Sequence, residues 1–311
     1  MIPDFQTLML PVLQSCKSGE VKISNVVEKL SDDFELLPEE RAHMLPSGKQ
    51  TMFTNRVHWA KSYLGKAALV ELTVRGRFQI TERGKEVLSH SPNRIDIKFL
   101  MQFAEFQKFR AISDEENETN DGGSIKKGPL VDEDAESLTP DEVMRKAHGE
   151  LESSLASDLL QKLRSGTPKF FERAVIVVLD KMGYGGSSVV NLEKALVGGS
   201  GDGGIDGVID QDKLGLDRIY VQAKRYAEDN LVAPAAIREF FGSLDMKKAS
   251  KGIFVTSSDY SSQAKETAEK LGKRIVLING EHLARLMIRY HVGCRVQEKL
   301  EIMEFDEEFF E

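Results

Sequence analysis

An acid, an amide and a lysine stand at a spacing suited to hydrolysing a phosphodiester. Asp206 sits in Gly198-Gly199-Ser200-Gly201-Asp202-Gly203-Gly204-Ile205-Asp206-Gly207, and Gln222-Ala223-Lys224 begins sixteen residues beyond it. A carboxylate and an amide oxygen can hold a divalent cation, Mg²⁺ or Mn²⁺, with the main-chain carbonyl of Ala223 as a third oxygen. A lysine beside the attacking water lowers that water's pKa and steadies the pentacoordinate phosphate. Metal-assisted cleavage of nucleic acid is the chemistry this set could perform. Glu172, well upstream, is a second carboxylate that could face the same point, directly or through a water.

Two neighbouring strands must bring these groups together. In a strand, residues i and i+2 share a face, so Gln222 and Lys224 point one way and Ile219, Val221 and Ala223 the other. Pairing that strand with one carrying Asp206 makes the carboxylate, the amide and the ammonium converge. The glycine run ahead of Asp206 could cradle phosphate in a backbone nest. It lacks the Gly-Lys-Ser/Thr ending of a P-loop, so a tight turn leading into the Asp206 strand suits it better. Asp202 is a second candidate ligand, ranked below Asp206 because a loop acid more often fixes its own turn.

The surrounding block alternates strands and helices. Thr167 is a helix N-cap and Pro168 a first helical residue. Phe171, Val175, Val178, Leu179 and Met182 then line one face, and the helix should stop at Gly183. Strands are predicted at 189–196, 205–210, 218–224, 252–256 and 274–278, and helices at 233–248, 260–271 and 280–290. The last two strands are apolar runs, which suits a sheet buried on both faces. The expected architecture is one mixed sheet flanked by helices.

Earlier in the chain the pattern changes. Residues 24–30 and 38–44 are short helical candidates. In 51–68, Phe53, Val57, Ala60 and Leu64 recur at helical spacing, leaving Asn55, Arg56, His58 and Ser62 largely off the stripe. Two strands follow, 69–72 and 78–81, joined by a turn at Gly76. A polar-faced helix followed by a basic hairpin is the winged form of a helix-turn-helix, in which the helix enters the major groove. Asn55, Arg56, His58 and Ser62 are then candidate base contacts. Arg75, Arg77, Arg83 and Lys85 are candidate phosphate contacts. A solvated amphipathic helix on an ordinary α+β domain would give the same local pattern. Trp59 and Tyr63 read as core.

Between the blocks, the segment from Ser113 to Ser165 reads as an acidic linker, interrupted by a helix at 139–163 with Thr139 as its cap. Net charge over the 311 residues is −8, but it is unevenly placed. Residues 111–160 carry −10 and 301–311 carry −6, whereas 1–110 carry +3 and 161–300 carry +5. The two flanking blocks can therefore meet an anionic partner despite the acidic total. Two distant cysteines, Cys16 and Cys294, make neither a zinc site nor a disulfide framework. No apolar run is long enough for a membrane span, and Met1-Ile2-Pro3-Asp4 opens no signal peptide, so a cytoplasmic location is expected.

These motifs resemble the Mrr family of restriction endonucleases, which carry a variant of the PD-(D/E)xK nuclease core. The resemblance runs from Phe170-Phe171-Glu172 through the glycine run, Tyr220-Val221-Gln222-Ala223-Lys224-Arg225-Tyr226 and Ile237-Arg238-Glu239-Phe240 to Leu286-Met287-Ile288-Arg289-Tyr290. Trp59-Ala60-Lys61-Ser62-Tyr63-Leu64 and Arg75-Gly76-Arg77-Phe78-Gln79-Ile80-Thr81 resemble the family's winged-helix domain. The resemblance implies four parts: a winged-helix DNA-binding domain at 1–110, an acidic linker with a helix at 111–165, a nuclease domain at 166–300 and an acidic tail at 301–311. It implies a type IV enzyme that cuts double-stranded DNA carrying methylated bases, as a homodimer or higher oligomer. Asp206, Gln222, Lys224 and Glu172 map to the family's catalytic positions, with Asp206, Gln222 and Ala223 around the metal and Arg225 beside the DNA. Gln222 stands where the wider superfamily has Glu or Asp. A structure-selective repair nuclease or junction resolvase would share these residues, and a winged-helix regulator with a decayed nuclease fold is the non-enzymatic alternative.

Overall fold

The computed structural model describes residues 1–118, 137–185, 204–212, 214–303 and 309, the side chains of 112–118 excepted. The expected strand at 189–196, most of the glycine run and Asp202 lie outside the described residues. The chain divides into two units, one built from Met1–Lys146 and the other from Ala147–Met303.

The first unit is assembled on helix α1 (Phe5–Ser15), capped by the Asp4 carboxylate, which accepts the amides of Gln6 and Thr7. Its apolar stripe Phe5, Leu8, Met9, Val12 and Leu13 is buried against Phe53, Val57, Ala60 and Leu64 of α4 (Met52–Lys66). That α4 stripe is the one the spacing predicts. Tyr63 forms an aromatic cluster with Phe5 and Phe106, at centroid distances of 5.2 and 5.6 Å. Helices α2 (Ile23–Asp33) and α3 (Pro38–Arg41) precede α4. Strands β2 (Val70–Leu72) and β3 (Arg77–Ile80) form the expected hairpin, and β1 (Val21–Lys22) adds a third antiparallel strand in the order β1-β3-β2. Gly76, at φ +69°, makes the turn.

Helix α5 (Glu82–Ser89), the short α6 (Ile97–Leu100) and α7 (Ala104–Glu118) complete the unit. Helix α7 corrects part of the linker expectation, since it carries helical backbone through Ser113-Asp114-Glu115-Glu116-Asn117-Glu118. Its start is anchored by the fully buried Phe106. Once nucleated on a core, a helix adds one hydrogen bond per residue without needing further burial.

Helix α8 (Pro140–Ser165) begins in the first unit and ends in the second. Its cap is reciprocal. The Glu142 amide donates to Thr139 Oγ1 and the Thr139 amide to Glu142 Oε2, a capping box. From this cap Asp141 accepts from Asn55 Nδ2 (3.1 Å) and Trp59 Nε1 (2.9 Å), and Glu142 pairs with Arg56 at 2.8 Å. Further along, residues 150–155 are all exposed. Leu159 and Leu163 then enter the core of the second unit.

That unit holds a four-stranded mixed sheet among the described residues, in the order β4 (Gly207–Asp210), β5 (Arg218–Lys224), β6 (Lys251–Thr256), β7 (Arg274–Ile278). β4 and β5 are antiparallel; β5, β6 and β7 are parallel. One face carries Ile209, Ile219, Val221, Ala223, Ile253 and Val255 against α9 (Pro168–Lys181) and α12 (Gly280–Arg289). The other carries Val208, Tyr220 and Phe254 against α10 (Pro234–Met246) and α11 (Ser262–Lys270). The mixed sheet with helices on both faces is therefore as anticipated, and β5 has the predicted bounds.

Gly252 lets α10 pack closely on β6. A Cβ there would lie 2.6 Å from the Phe240 ring and 3.0 Å from Leu244. Gly252→Ala is expected to cost about 1–3 kcal/mol through overpacking. Gly149→Ala, on α8 where a Cβ meets nothing within 4 Å, is expected to gain up to about 1 kcal/mol through helix propensity. Chemical denaturation of both variants checks the opposite signs.

Candidate active site

The register of β4 on β5 determines the site. Gly207 pairs with Val221 and Val208 with Tyr220, which brings Asp206, just ahead of Gly207, alongside the 221–223 stretch of β5. β4 itself starts at Gly207. The expected strand at 205–210 is thus shortened, and Asp206 lies just ahead of it. Its amide still donates to Val221 O (2.9 Å), but its side chain takes over the next link. Asp206 Oδ2 accepts the Ala223 amide at 2.8 Å. A main-chain donor that would otherwise lose its partner at the strand end is satisfied by a carboxylate.

Gln222 is 5% exposed, and its Oε1 is buried without a hydrogen-bond partner among the described residues. Such an acceptor is costly unless something fills its lone pairs. Lys224 is half-buried two residues on, at the end of β5. Its carbonyl accepts from Thr256 Oγ1 and the Ser257 amide, which hold that strand end against β6.

Glu172 reaches the same place from α9, whose first turn is set by Thr167 Oγ1 accepting the Phe170 amide. Burial raises the Glu172 pKa above the ordinary carboxylate value, and neighbouring Asp206 raises it further against the opposing Lys224 and Lys169. Burial also raises that of Asp206, against the Ala223 amide and Lys224. Two carboxylates held up by desolvation, beside a lysine and an orphaned amide oxygen, form a place where positive charge is missing. The oxygens that could hold a divalent cation here are those of Asp206 and Glu172, Gln222 Oε1 and the Ala223 carbonyl. Among the described residues no three His, Cys, Asp or Glu side chains gather as a metal cluster, so the neutral oxygens are needed to complete a shell.

The other sequence candidates are dispersed. Asn55 is 3% exposed and bonded to Asp141 and Thr139. Arg56 is bound to Glu142 and to the carbonyls of Ile2 and Pro3. The expectation that these two read bases is corrected: they lock α4 to the start of α8. His58 is exposed and Ser62 half-buried on α4. Arg75 and Arg77 are exposed near the hairpin turn, with Arg77 3.0 Å from Glu20. Arg83 and Lys85 pair with Glu105 and Glu82. Arg225 is exposed and donates to Arg164 O at 2.6 Å. It lines a cleft of about 890 Å³ with Arg164, Tyr226 and Asn279. Sequence reasoning missed the support from Ser257 and Arg164, whose Nε donates to Ser257 O. The exposed-looking Arg164 near a helix end gives no local sign of it.

The raised pKa of Asp206 has a stability sign. The fold favours the protonated acid, so its contribution is fully present below the unfolded value and is lost as pH rises through the folded one. At pH 7 the ionised carboxylate is therefore a burden on the metal-free fold. Asp206→Asn keeps an acceptor for the Ala223 amide and removes the charge. Its metal-free melting temperature at pH 7 is expected to rise by about 1–3 °C, with the difference vanishing near pH 4, as calorimetric scans at both pH values would register.

Residues 163–287 match a family described as "Restriction endonuclease", and residues 5–90 match one described as "Mrr N-terminal domain". The chain is 33% identical over 316 residues to the type IV methyl-directed restriction enzyme EcoKMrr of Escherichia coli (strain K12), covering 100% of this chain and 99% of that protein. Among solved structures it is similar to the MspJI restriction endonuclease in complex with a 27-mer oligonucleotide, with a TM-score of 0.36 and 23% identity, covering 47% of this chain and 33% of that one. It is also similar to the DNA modification-dependent restriction endonuclease AspBHI, with a TM-score of 0.36 and 17% identity, covering 73% and 57%. A full-length relative at this identity, together with both family matches, means that the chain belongs to the Mrr family of restriction endonucleases.

Proposed function

We propose that this restriction endonuclease cleaves double-stranded DNA carrying methylated bases, using Mg²⁺ or Mn²⁺ held by Asp206, Gln222 and the Ala223 carbonyl. The observation that carries the metal assignment is the buried Gln222 Oε1, which has no hydrogen-bond partner among the described residues, next to the Ala223 amide that the Asp206 carboxylate accepts. When bound, the cation supplies positive charge that polarises the scissile phosphate and activates water. Lys224 adds its ammonium beside the attacking water and the phosphate oxygens. Glu172 orients that water or joins the ligand set. Both carboxylates must ionise to do this, and both resist ionising. Cleavage should therefore fall off on acidification at a higher pH than ordinary carboxylates would give.

Substrate choice is assigned to the first unit, read as a winged helix. The full-length relative is described as methyl-directed, and the order β1-β3-β2 with α4 before the hairpin suits that fold. With Asn55 and Arg56 engaged elsewhere, His58 and Ser62 remain as candidate base contacts on α4. Arg75 and Arg77 lie at the hairpin to meet phosphates, and Arg225 to meet the strand near the cut. The Arg77–Glu20 pair is surface-exposed and worth little, so phosphate can replace it. One site cuts one strand, so duplex cleavage calls for at least a homodimer with two-fold symmetry.

Purified protein incubated with Mg²⁺ and with methylated or unmethylated copies of one plasmid tests the proposal. Cutting of the methylated copy alone is expected, and Lys224→Ala should reduce it by about 100-fold or more. Equal cutting of both copies would move the function to an unselective or repair nuclease. No cutting across a panel of methylated sequences would reject the nuclease assignment. A second comparison concerns the reader: His58→Ala should change which methylated sequences are cut while leaving the melting temperature in place. Asn55→Ala should instead lower stability by about 1–3 kcal/mol by stranding buried partners.

A further inference from the structure

Gly204 stands where a side chain would collide with the proposed metal ligand. Its φ is +78°, and a Cβ there would lie 2.7 Å from Gln222 Nε2 and 3.7 Å from Gln222 Cδ. Both anchors of the neighbouring chain are short. The Asp206 amide donates to Val221 O at 2.9 Å, and Asp206 Oδ2 accepts the Ala223 amide at 2.8 Å. They tie the chain two residues after Gly204 to the β5 backbone on either side of Gln222. Yet among the described residues no hydrogen bond orients the amide oxygen of Gln222. The final torsion of a glutamine is broad and roughly two-fold, so an amide without an oxygen partner swings unless packing confines it.

Resting on the nuclease assignment above, we propose that Gly204 is a positioning residue for Gln222: its bare Cα is the wall that confines the amide plane and keeps Oε1 directed at the cation. The second glycine of Gly203-Gly204-Ile205-Asp206 is thus needed for the room it leaves beside an amide as well as for its turn. Contact replaces the hydrogen bond that would otherwise orient a ligand from outside the shell.

Calorimetric titration of the full chain with Mn²⁺ tests this. Gly204→Ala is expected to weaken Mn²⁺ binding by about 10–100-fold, the range seen when a ligand's outer support is lost. Gly204→Asn should weaken it as much, although Asn tolerates left-handed backbone better than Ala. In a Gln222→Ala background, Gly204→Ala should have less than about a two-fold further effect, since coupled residues do not add. Wild-type affinity in Gly204→Ala, recovery in Gly204→Asn, or an undiminished effect in the Gln222→Ala background would each overturn the proposal. If Gly204→Ala fails to fold, the double variant should fold because the collision is gone; failure of both would place the demand on the turn alone and also overturn it. Asp206→Asn separates the two levels. Wild-type binding lost in Asp206→Asn keeps the metal site whatever Gly204 does, whereas equal Mn²⁺ binding in wild type and Asp206→Asn rejects the metal site and this inference with it.

Discussion

Where β4 gives out as a partner for β5, the next free amide of β5 is taken by a side chain instead of a backbone carbonyl. That bond, from the Ala223 amide to Asp206 Oδ2, does two things at once. It closes the hydrogen-bond account of the sheet edge, and it pins a carboxylate in a place where burial works against its charge. The neighbouring pieces follow from the same junction. Gln222 stands between the two β5 residues that Asp206 bonds, Val221 and Ala223, and Lys224 shares its face because strands alternate. Glu172 arrives from α9, which is held to this sheet by Phe171, Val175 and Val178. The site is the unfinished end of a strand pairing, stocked with groups that a cation and a phosphate would satisfy.

Charge is handled differently in the first unit. Several of its basic side chains are paired with carboxylates. Arg56 is nearly buried and bound by Glu142 and two carbonyls, an arrangement that is expensive to break on one side only. Arg77, Arg83 and Lys85 are paired on the surface, where pairing is cheap to exchange. The same residue types thus serve as fixed fasteners in one place and as exchangeable contacts in another, and burial decides which.

The sheet of the second unit was legible because its strands advertise themselves. Arg274–Ile278 is a nearly continuous apolar run, and β5 alternates Ile219, Val221 and Ala223 with Tyr220, Gln222 and Lys224. The spacing of Asp206 from Gln222 and Lys224 is likewise plain in the sequence. What stayed hidden depended on distance along the chain. Asn55 finds Asp141 86 residues away, and nothing near Asn55 signals that partner. Helix α1 is not among the sequence-based expectations; its buried residues keep helical spacing, but it carries Pro11 within its span. The role of Gly204 was also invisible, because glycine announces freedom of the backbone and says nothing about which neighbour needs the space.

Helix α8 is gripped at both ends and bare between them. Its cap is fastened to α4, and Leu159 and Leu163 lie in the second core, whereas residues 150–155 expose every side of more than a full turn. Backbone without packing opens at low free energy, independently of the cores on either side. Amide hydrogens there should exchange with solvent long before those of β5 or α4, and a protease should nick the chain there first. The chain therefore carries its own seam, at which the polypeptide can be cut with the cores of both units intact.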